Sequence, residues 1–398
     1  MKPVTGLVVF VLAACAIAPT ATLTPLPTTS STRTPFSTET PLPEATASRT
    51  PVRRATSTDT PTPAPTIPTN TIVEYGQLPP GFSLTTYAEV FQPTSLTFGP
   101  DGTLYVASTN SVVYALTDED GDHRAETRTT FAWEVPLPLG LAWVDDKLYI
   151  SYTGTVQAVW DTNGNGERDR VQIILENLPN GRHLNDGLAL GPDGYLYLGF
   201  GSTCDACREA DPRSATILRF RPDGSAVSVY ATGLRNPYDV AFNAAGDLFA
   251  TENGRDDLGQ SAPPEELNWI VKGADYGWPD CWAGAPAEAC VGTTSAVAIF
   301  TARSSADGLV FYDGDNFPPD YADNAFVAVF GSYVYPEIER GVRRVRLTKD
   351  GETYTAQTEW FLKLDEGRPL DITVGPEGGL YVADYGAGLI YRIVYGAP

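Results

Sequence analysis

The sequence predicts an all-β fold, a six-bladed β-propeller whose N- and C-terminal strands close the ring. Three observations predict it. Beyond residue 75 the chain is made of short runs rich in Val, Leu, Tyr and Phe, broken by Gly-Pro-Asp-Gly and similar turns. No long helical periodicity interrupts them. One unit recurs six times: an apolar strand, a turn, then a second strand opening on Leu-Tyr or a close equivalent.

In order, the copies are LTFGPDGTLYVAS at 96–108, LAWVDDKLYIS at 141–151, LALGPDGYLYLGF at 188–200 and VAFNAAGDLFATE at 240–252. A weaker copy surrounds AFVA at 325–328, and ITVGPEGGLYVAD follows at 372–384. Their aromatic anchors are Tyr105, Tyr149, Tyr197, Phe249, Phe326 and Tyr381. The widest gap, between Phe249 and Phe326, predicts an insertion near 256–296. The last copy leaves room for one further strand, at 389–395. The segment 82–87, ahead of the first copy, supplies the missing outer strand. Pairing the two ends closes the ring and removes exposed edges.

The N-terminus carries one positive charge, an apolar run at 8–14 and then Leu12-Ala13-Ala14-Cys15. This pattern predicts an export signal, too short to span a bilayer as a mature helix. Leu-Ala-Ala-Cys resembles the lipobox of bacterial lipoproteins, which implies cleavage before Cys15 and acylation of its thiol. The alternative is an ordinary signal peptide with a chance cysteine. Residues 15–74 are mostly Thr, Pro, Ser and Ala. Proline removes backbone donors and almost nothing apolar is present to bury, so this segment is expected to be a disordered stalk. The organisation is therefore a lipoprotein-type signal at 1–14, a stalk at 15–74 and a propeller at 75–398. The expected localisation is extracytoplasmic, with the membrane reached through the lipid anchor only. Acidic residues outnumber basic ones by 49 to 27, for a net charge of -22. Such a surface repels nucleic-acid phosphates and argues against nucleic-acid binding.

Four cysteines remain besides Cys15. Local disulfides, Cys204–Cys207 and Cys281–Cys290, are the simplest pairing in an exported chain. Cys-Asp-Ala-Cys is otherwise a redox pair or half a zinc site. Two segments read as calcium loops. One carries Asp118, Asp120, Asp122 and Glu126; the other carries Asp161, Asn163, Asn165 and Asp169, with Gly166 supplying the turn. Both lack a carboxylate at the twelfth position. The alternative for each is a polar hairpin turn that binds nothing.

The chain has two histidines. His123 lies in the first acidic loop. His183 opens the inner strand of a blade, close to a channel mouth where a general base is useful. Arg235 and Asn236, in Gly-Leu-Arg-Asn-Pro, open the next blade at the equivalent place. Glu252 ends that blade's second strand in Thr-Glu-Asn-Gly, and Glu265-Glu266-Leu-Asn268 follows in the insertion. Arg368 opens the last blade in Gly-Arg-Pro. A base, two guanidiniums and a glycine-bordered acidic loop around one axis suit an anionic cofactor with a metal.

Together these pieces resemble the glucose/sorbosone dehydrogenase family, soluble quinoproteins that use pyrroloquinoline quinone (PQQ). The resemblance extends over nearly all of 79–395. It rests on His183 before a GPDG strand, GLRNP at 233–237, TENG at 251–254, EELN at 265–268, YGWP at 276–279 and the closing GRP. It implies PQQ-dependent oxidation of a sugar or sugar aldehyde. His183 would take the hydroxyl proton as hydride moves to the quinone, and Arg235 would contact the quinone oxygens. Asn236 would support the cofactor and Arg368 would pair with one of its carboxylates. Gly254 and Arg255 would offer backbone carbonyls to a calcium that polarises it. Two departures motivate an alternative. Leu370 stands where well-characterised sugar oxidisers carry a second arginine, and Phe330 stands where sorbosone-type members often carry histidine. The alternative is a non-catalytic cell-surface propeller binding glycan or protein; a lactonase-like hydrolase is a third reading. Independently of activity, the anchor makes a prediction. Expressed in a lipoprotein-processing bacterium, the mature chain should fractionate with membranes and a Cys15→Ser variant should not. Equal solubility of the two forms would replace anchoring with simple secretion.

Overall fold

The computed structural model describes residues 76–397; Cys15 and the stalk at 15–74 lie outside the described residues. The strands fall into six antiparallel sheets. Blade 1 is Pro93–Phe98, Leu104–Ser108, Val112–Thr117 and Thr127–Trp133. Blade 2 is Pro138–Val144, Lys147–Tyr152, Thr155–Trp160 and Arg170–Leu175. Blade 3 is Asn185–Leu190, Leu196–Phe200, Thr216–Phe220 and Ser228–Thr232. Blade 4 is Val240–Phe242, Leu248–Glu252, Glu265–Ile270 and Ala298–Phe300. Blade 5 is Ala306–Phe311, Ala325–Val329, Arg340–Asp350 and Thr353–Leu364, with Gly76–Gln77 added as a fifth strand. Blade 6 is Pro369–Val374, Leu380–Asp384 and Leu389–Tyr395, completed by Phe82–Glu89. The first strands of successive blades neighbour one another around the axis.

The second strand of each of blades 1, 3, 4, 5 and 6 is buried along its whole length, because the blades on either side cover both faces of its sheet. That burial is why these strands read as unbroken apolar runs. Their aromatic anchors reach into the next blade. Tyr105 meets Trp143, Tyr197 meets Phe242, Phe249 meets Phe311 and Tyr381 meets Phe98, with centroids 4.9–5.2 Å apart. Edge-to-face and tilted contacts of this kind add to the burial energy of the rings.

The ring closes as the sequence predicts: Phe82–Glu89 pairs antiparallel with Leu389–Tyr395, from Phe82 opposite Tyr395 to Glu89 opposite Leu389. Phe82 packs among Phe317, Tyr321, Phe361 and Tyr395, so the closing strand also grips blade 5. The span 256–296, expected to hold an insertion, also contains a blade strand. Glu265–Ile270 within it is the third strand of blade 4, and the extra length lies in loops on either side. Polar Glu265, Glu266 and Asn268 hide this strand from an apolar pattern, yet all three are buried. Leu84 on the closing strand is buried in the core shared with blade 5. Leu84→Ala is expected to cost about 2–5 kcal/mol, read from urea unfolding. A loss below about 1 kcal/mol would show that the closing strand lies outside the cooperative unit.

Candidate functional site

The site is built where the first strands begin. Residues 182–184 ahead of blade 3, the 201–215 loop, residues 233–237 ahead of blade 4 and the 253–264 loop meet there. Backbone hydrogen bonds lace them together: His183 N–H to the Ser202 carbonyl, Ser202 N–H to the Arg235 carbonyl and Asn253 N–H to the Asn236 carbonyl. His183 Nδ1 lies 2.9 Å from the hydroxyl of Ser202, which is fully buried and donates to the Cys204 carbonyl at 2.6 Å. Burial, reinforced by Arg235 and Arg182, pushes the imidazole down to about 3. His183 is therefore neutral across the physiological range.

Arg235 is buried with only 3% of its side chain exposed. Its Nε donates to the Asp205 carbonyl at 3.1 Å and its Nη1 to the Asn253 carbonyl at 3.0 Å. Its Nη2 donates to Asp205 Oδ1 at 2.6 Å and Asp256 Oδ2 at 2.9 Å. Arg182 pairs with the same two carboxylates, and Arg303 with Asp256. Three guanidiniums against two carboxylates leave a local positive surplus on a strongly acidic chain. Burial pushes the Asp205 carboxyl up, but the Asp256 N–H and Arg235 outweigh it and hold it below its usual range. Asn236 stands beside His183: a side chain on Gly201 would meet His183 Cβ at 2.4 Å and Asn236 Oδ1 at 3.1 Å. That Oδ1 is buried and accepts no hydrogen bond from the described residues.

Glu252 caps the turn that carries these groups, accepting from Arg235 N–H at 2.6 Å and Asn236 N–H at 3.2 Å. Glu265 accepts from Gly254 N–H at 2.7 Å. Burial drives Glu252, with help from Glu266, well above the usual carboxylate range, and drives Glu265 up to about 7. The Gly254 carbonyl accepts no hydrogen bond among the described residues, whereas the Arg255 carbonyl accepts one from Arg303 Nη1 at 2.6 Å. Arg368 stands apart. It donates to the carbonyls of Phe330 and Ser332, both at 3.2 Å, and its guanidinium lies 4.1 Å from the centre of the Tyr333 ring. Leu370 is buried in the first strand of blade 6.

Further along the axis lie Asp186, Asp239, Asp307 and Asp371. Asp239 Oδ2 accepts from Leu309 N–H and Asp371 Oδ2 from Leu96 N–H, each at 2.7 Å, so each carboxyl stitches its blade to the next. Asp307 accepts from Asn253 Nδ2 at 2.7 Å. The approach is close enough that a side chain on Gly187 would meet Asp239 Oδ1 at 2.1 Å, and one on Gly308 would meet Asp371 Cα at 2.5 Å. Burial pushes all four carboxyls up, Asp307 to about 7 and Asp371 to about 6.

The sequence-predicted residues thus fall into three places. His183, Arg235, Asn236, Glu252, Gly254 and Arg255 come together; Arg368 sits with Phe330 and Tyr333; the acidic loops lie elsewhere. Those loops join the third and fourth strands of blades 1 and 2, at the sheet ends opposite the His183 turn. In the first, oxygens of Asp118, Asp120, Asp122 and Glu126 lie within 4.8 Å of one another. In both loops the carboxylates accept from the turn itself: Asp118 from Gly121 and His123 N–H, Glu126 from Glu119 N–H, Asp161 from Asn163, Gly164 and Gly166 N–H, and Asp169 from Thr162 N–H. Disulfides Cys204–Cys207 and Cys281–Cys290 both form. Sequence reasoning missed Ser202, Asp205, Asp256 and Arg303. Only Asp205, between two cysteines, carried any signal.

The family model described as "Domain of unknown function (DUF7133)" matches residues 77–393. The chain belongs to the DUF7133 family. This member is 25% identical over 362 residues to an uncharacterized protein of Borreliella burgdorferi, spanning 83% of the chain and 93% of the relative. It is 24% identical to the aldose sugar dehydrogenase YliI of Escherichia coli, spanning 55% of the chain and 62% of that relative, less than two thirds of its length. Solved structures share the fold. The PQQ-bound aldose sugar dehydrogenase of Streptomyces coelicolor superposes with a TM-score of 0.60 at 21% identity, covering 80% of this chain and 100% of that one. A calcium structure of a Trichoderma reesei carbohydrate-active enzyme of family AA12 gives 0.69 at 19% identity, covering 81% and 97%.

The axial carboxyls make a pH prediction. Asp307 is raised from 3.8 to about 7 on folding. Between those values the folded chain keeps a proton that the unfolded chain has released, so this group's stabilisation falls as pH rises through the window. Asp307→Asn removes the dependence. Its stability relative to wild type should improve by roughly 1–3 kcal/mol between pH 5 and pH 8, measured by urea unfolding at each pH. A flat difference would place the Asp307 carboxyl in its ordinary range.

Proposed function

We propose that this DUF7133 member is a PQQ-dependent dehydrogenase that oxidises a sugar or sugar aldehyde. The observation that carries the reading is a neutral His183 beside Asn236 and an arginine-rich surplus of positive charge. It lies at the mouth of a propeller that shares its fold with a PQQ-bound aldose sugar dehydrogenase. The residues present fit a planar polyanion: the Nδ2 of Asn236 can donate, and Arg368 offers a guanidinium framed by aromatic rings. The Gly254 carbonyl is open to a cation. At the Arg255 carbonyl a calcium ion would displace Arg303. PQQ, when bound, supplies a two-electron hydride acceptor.

The protein's part is proton management and positioning. His183 receives the proton of the substrate hydroxyl, and its lowered pKa keeps it ready to do so even in mild acid. Asp205 and Asp256 hold Arg235 in place beneath it. Glu252 fixes the turn on which Arg235 and Asn236 ride. The two disulfides support an extracytoplasmic location, with the acyl anchor at Cys15, the stalk at 15–74 and the propeller from 75 as its working arrangement. Calcium in the loop at Asp118–Glu126 belongs to the same proposal, since its carboxylates converge.

A second reading keeps specific support: Leu370 supplies no charge, and Arg235 already spends most of its donors within the protein. A non-catalytic propeller that binds glycan or protein fits both facts. Calorimetry with PQQ and calcium separates the readings. Wild type should bind, and His183→Ala should still bind while dye reduction with aldoses falls about 10²–10⁴-fold. Arg368→Ala should weaken binding by roughly 1–3 kcal/mol. No binding heat in wild type would favour the non-catalytic propeller.

A further inference from the structure

We propose that Ser202 is the positioning residue of the candidate base: its hydroxyl, anchored on the Cys204 carbonyl, holds His183 as the Nδ1–H tautomer and leaves Nε2 as the proton acceptor. The catalytic meaning rests on the dehydrogenase reading above, whereas the tautomer does not depend on it.

A serine beside an imidazole nitrogen is ambiguous by itself, because a hydroxyl both donates and accepts. Here the ambiguity is removed by the third group. Ser202 has one hydroxyl proton, and the Cys204 carbonyl, 2.6 Å away, can only accept it. With that proton committed, Ser202 Oγ faces His183 Nδ1 at 2.9 Å with lone pairs only. Nδ1 must then carry the proton. Ser202 is fully buried, so water does not substitute for either partner. No described residue hydrogen-bonds Nε2, and the neutral imidazole has one N–H to place.

The anchor is itself held from several directions. Both backbones are fixed by hydrogen bonds, His183 N–H to the Ser202 carbonyl and Ser202 N–H to the Arg235 carbonyl. Cys204 is tied to Cys207 by its disulfide. On its near side, the Thr203 N–H and hydroxyl donate to Glu209 at 2.7 and 2.6 Å. On its far side, Asp205 is clamped by Arg235. The carbonyl that orients Ser202 thus belongs to a loop braced at every neighbouring residue. This assigns the Cys204–Cys207 disulfide a local task, keeping that carbonyl in line with the hydroxyl.

With two histidines in the chain, the test is direct. Long-range ¹⁵N–¹H correlation spectra of the full ¹⁵N-labelled protein contain two imidazole systems, and His123→Gln assigns the remaining one to His183. The expected wild-type pattern is a pyrrole-type Nδ1 and a pyridine-type Nε2, unchanged from pH 5 to pH 8. Ser202→Ala should shift His183 toward the Nε2–H form, and Ser202→Thr, which keeps the hydroxyl, should restore Nδ1–H. An Nε2–H tautomer in wild type would overturn the proposal, without needing any variant to fold. So would a Ser202→Ala spectrum identical to wild type. In protein loaded with PQQ and calcium, Ser202→Ala should lower kcat at least about tenfold while KM changes less. If the tautomer is as stated but PQQ does not bind, the positioning role of Ser202 stands and the dehydrogenase reading falls.

Discussion

Strand Phe82–Glu89 pairs along its length with Leu389–Tyr395, and the rest of the molecule depends on that seam. Each sheet is apolar on both faces and needs a neighbour on each side. An open ring would leave one face of blade 1 and one face of blade 6 in water. The contact of Tyr381 with Phe98 spans the face between blade 6 and blade 1 that closure brings together. Closure also sets the mouth. The turns bearing His183, Arg235 and Arg368 are brought around one axis only because six sheets complete the circle. Chain ends that lie far apart in sequence therefore govern the geometry of a site that neither of them touches.

The fold was legible because burial wrote it into the repeats. A second strand covered on both faces tolerates little but apolar residues, so Leu-Tyr-Val-Ala and its variants stand out. Where a strand buries polar residues through specific partners, as Glu265 and Glu266 do, the pattern disappears. The two-residue strand Gly76–Gln77, added to the edge of blade 5, is too short to carry any periodicity. The site was legible in part for a related reason. His183, Arg235 and Asn236 occupy equivalent positions at blade starts, which a repeat reveals. Their partners come from loops whose contacts are set by the folded chain. Nothing local marks Arg303 as a neighbour of Asp256, 47 residues away. Ser202 was missed because its importance lies in a carbonyl two residues on, and carbonyls leave no trace in a sequence.

Electrostatics is arranged in layers. The chain as a whole is acidic, yet the turns around His183 gather arginine. Beneath them, carboxyls are buried in conditions that favour their neutral forms, led by desolvation. A charged axis would repel itself at close range; a protonated one does not. Carboxyls raised in this way oppose the basic mouth less than ordinary ones would, while most donors of Arg235 and Arg303 are already spent within the protein.

The tight approach at Gly187 and Gly308 limits what either position can become. Where a single added carbon would strike the adjoining strand or its carboxyl, successive blades already touch, and Asp186 and Asp307 beside these contacts are almost wholly shielded from solvent. Neither glycine can gain a side chain unless the two blades that meet there move apart.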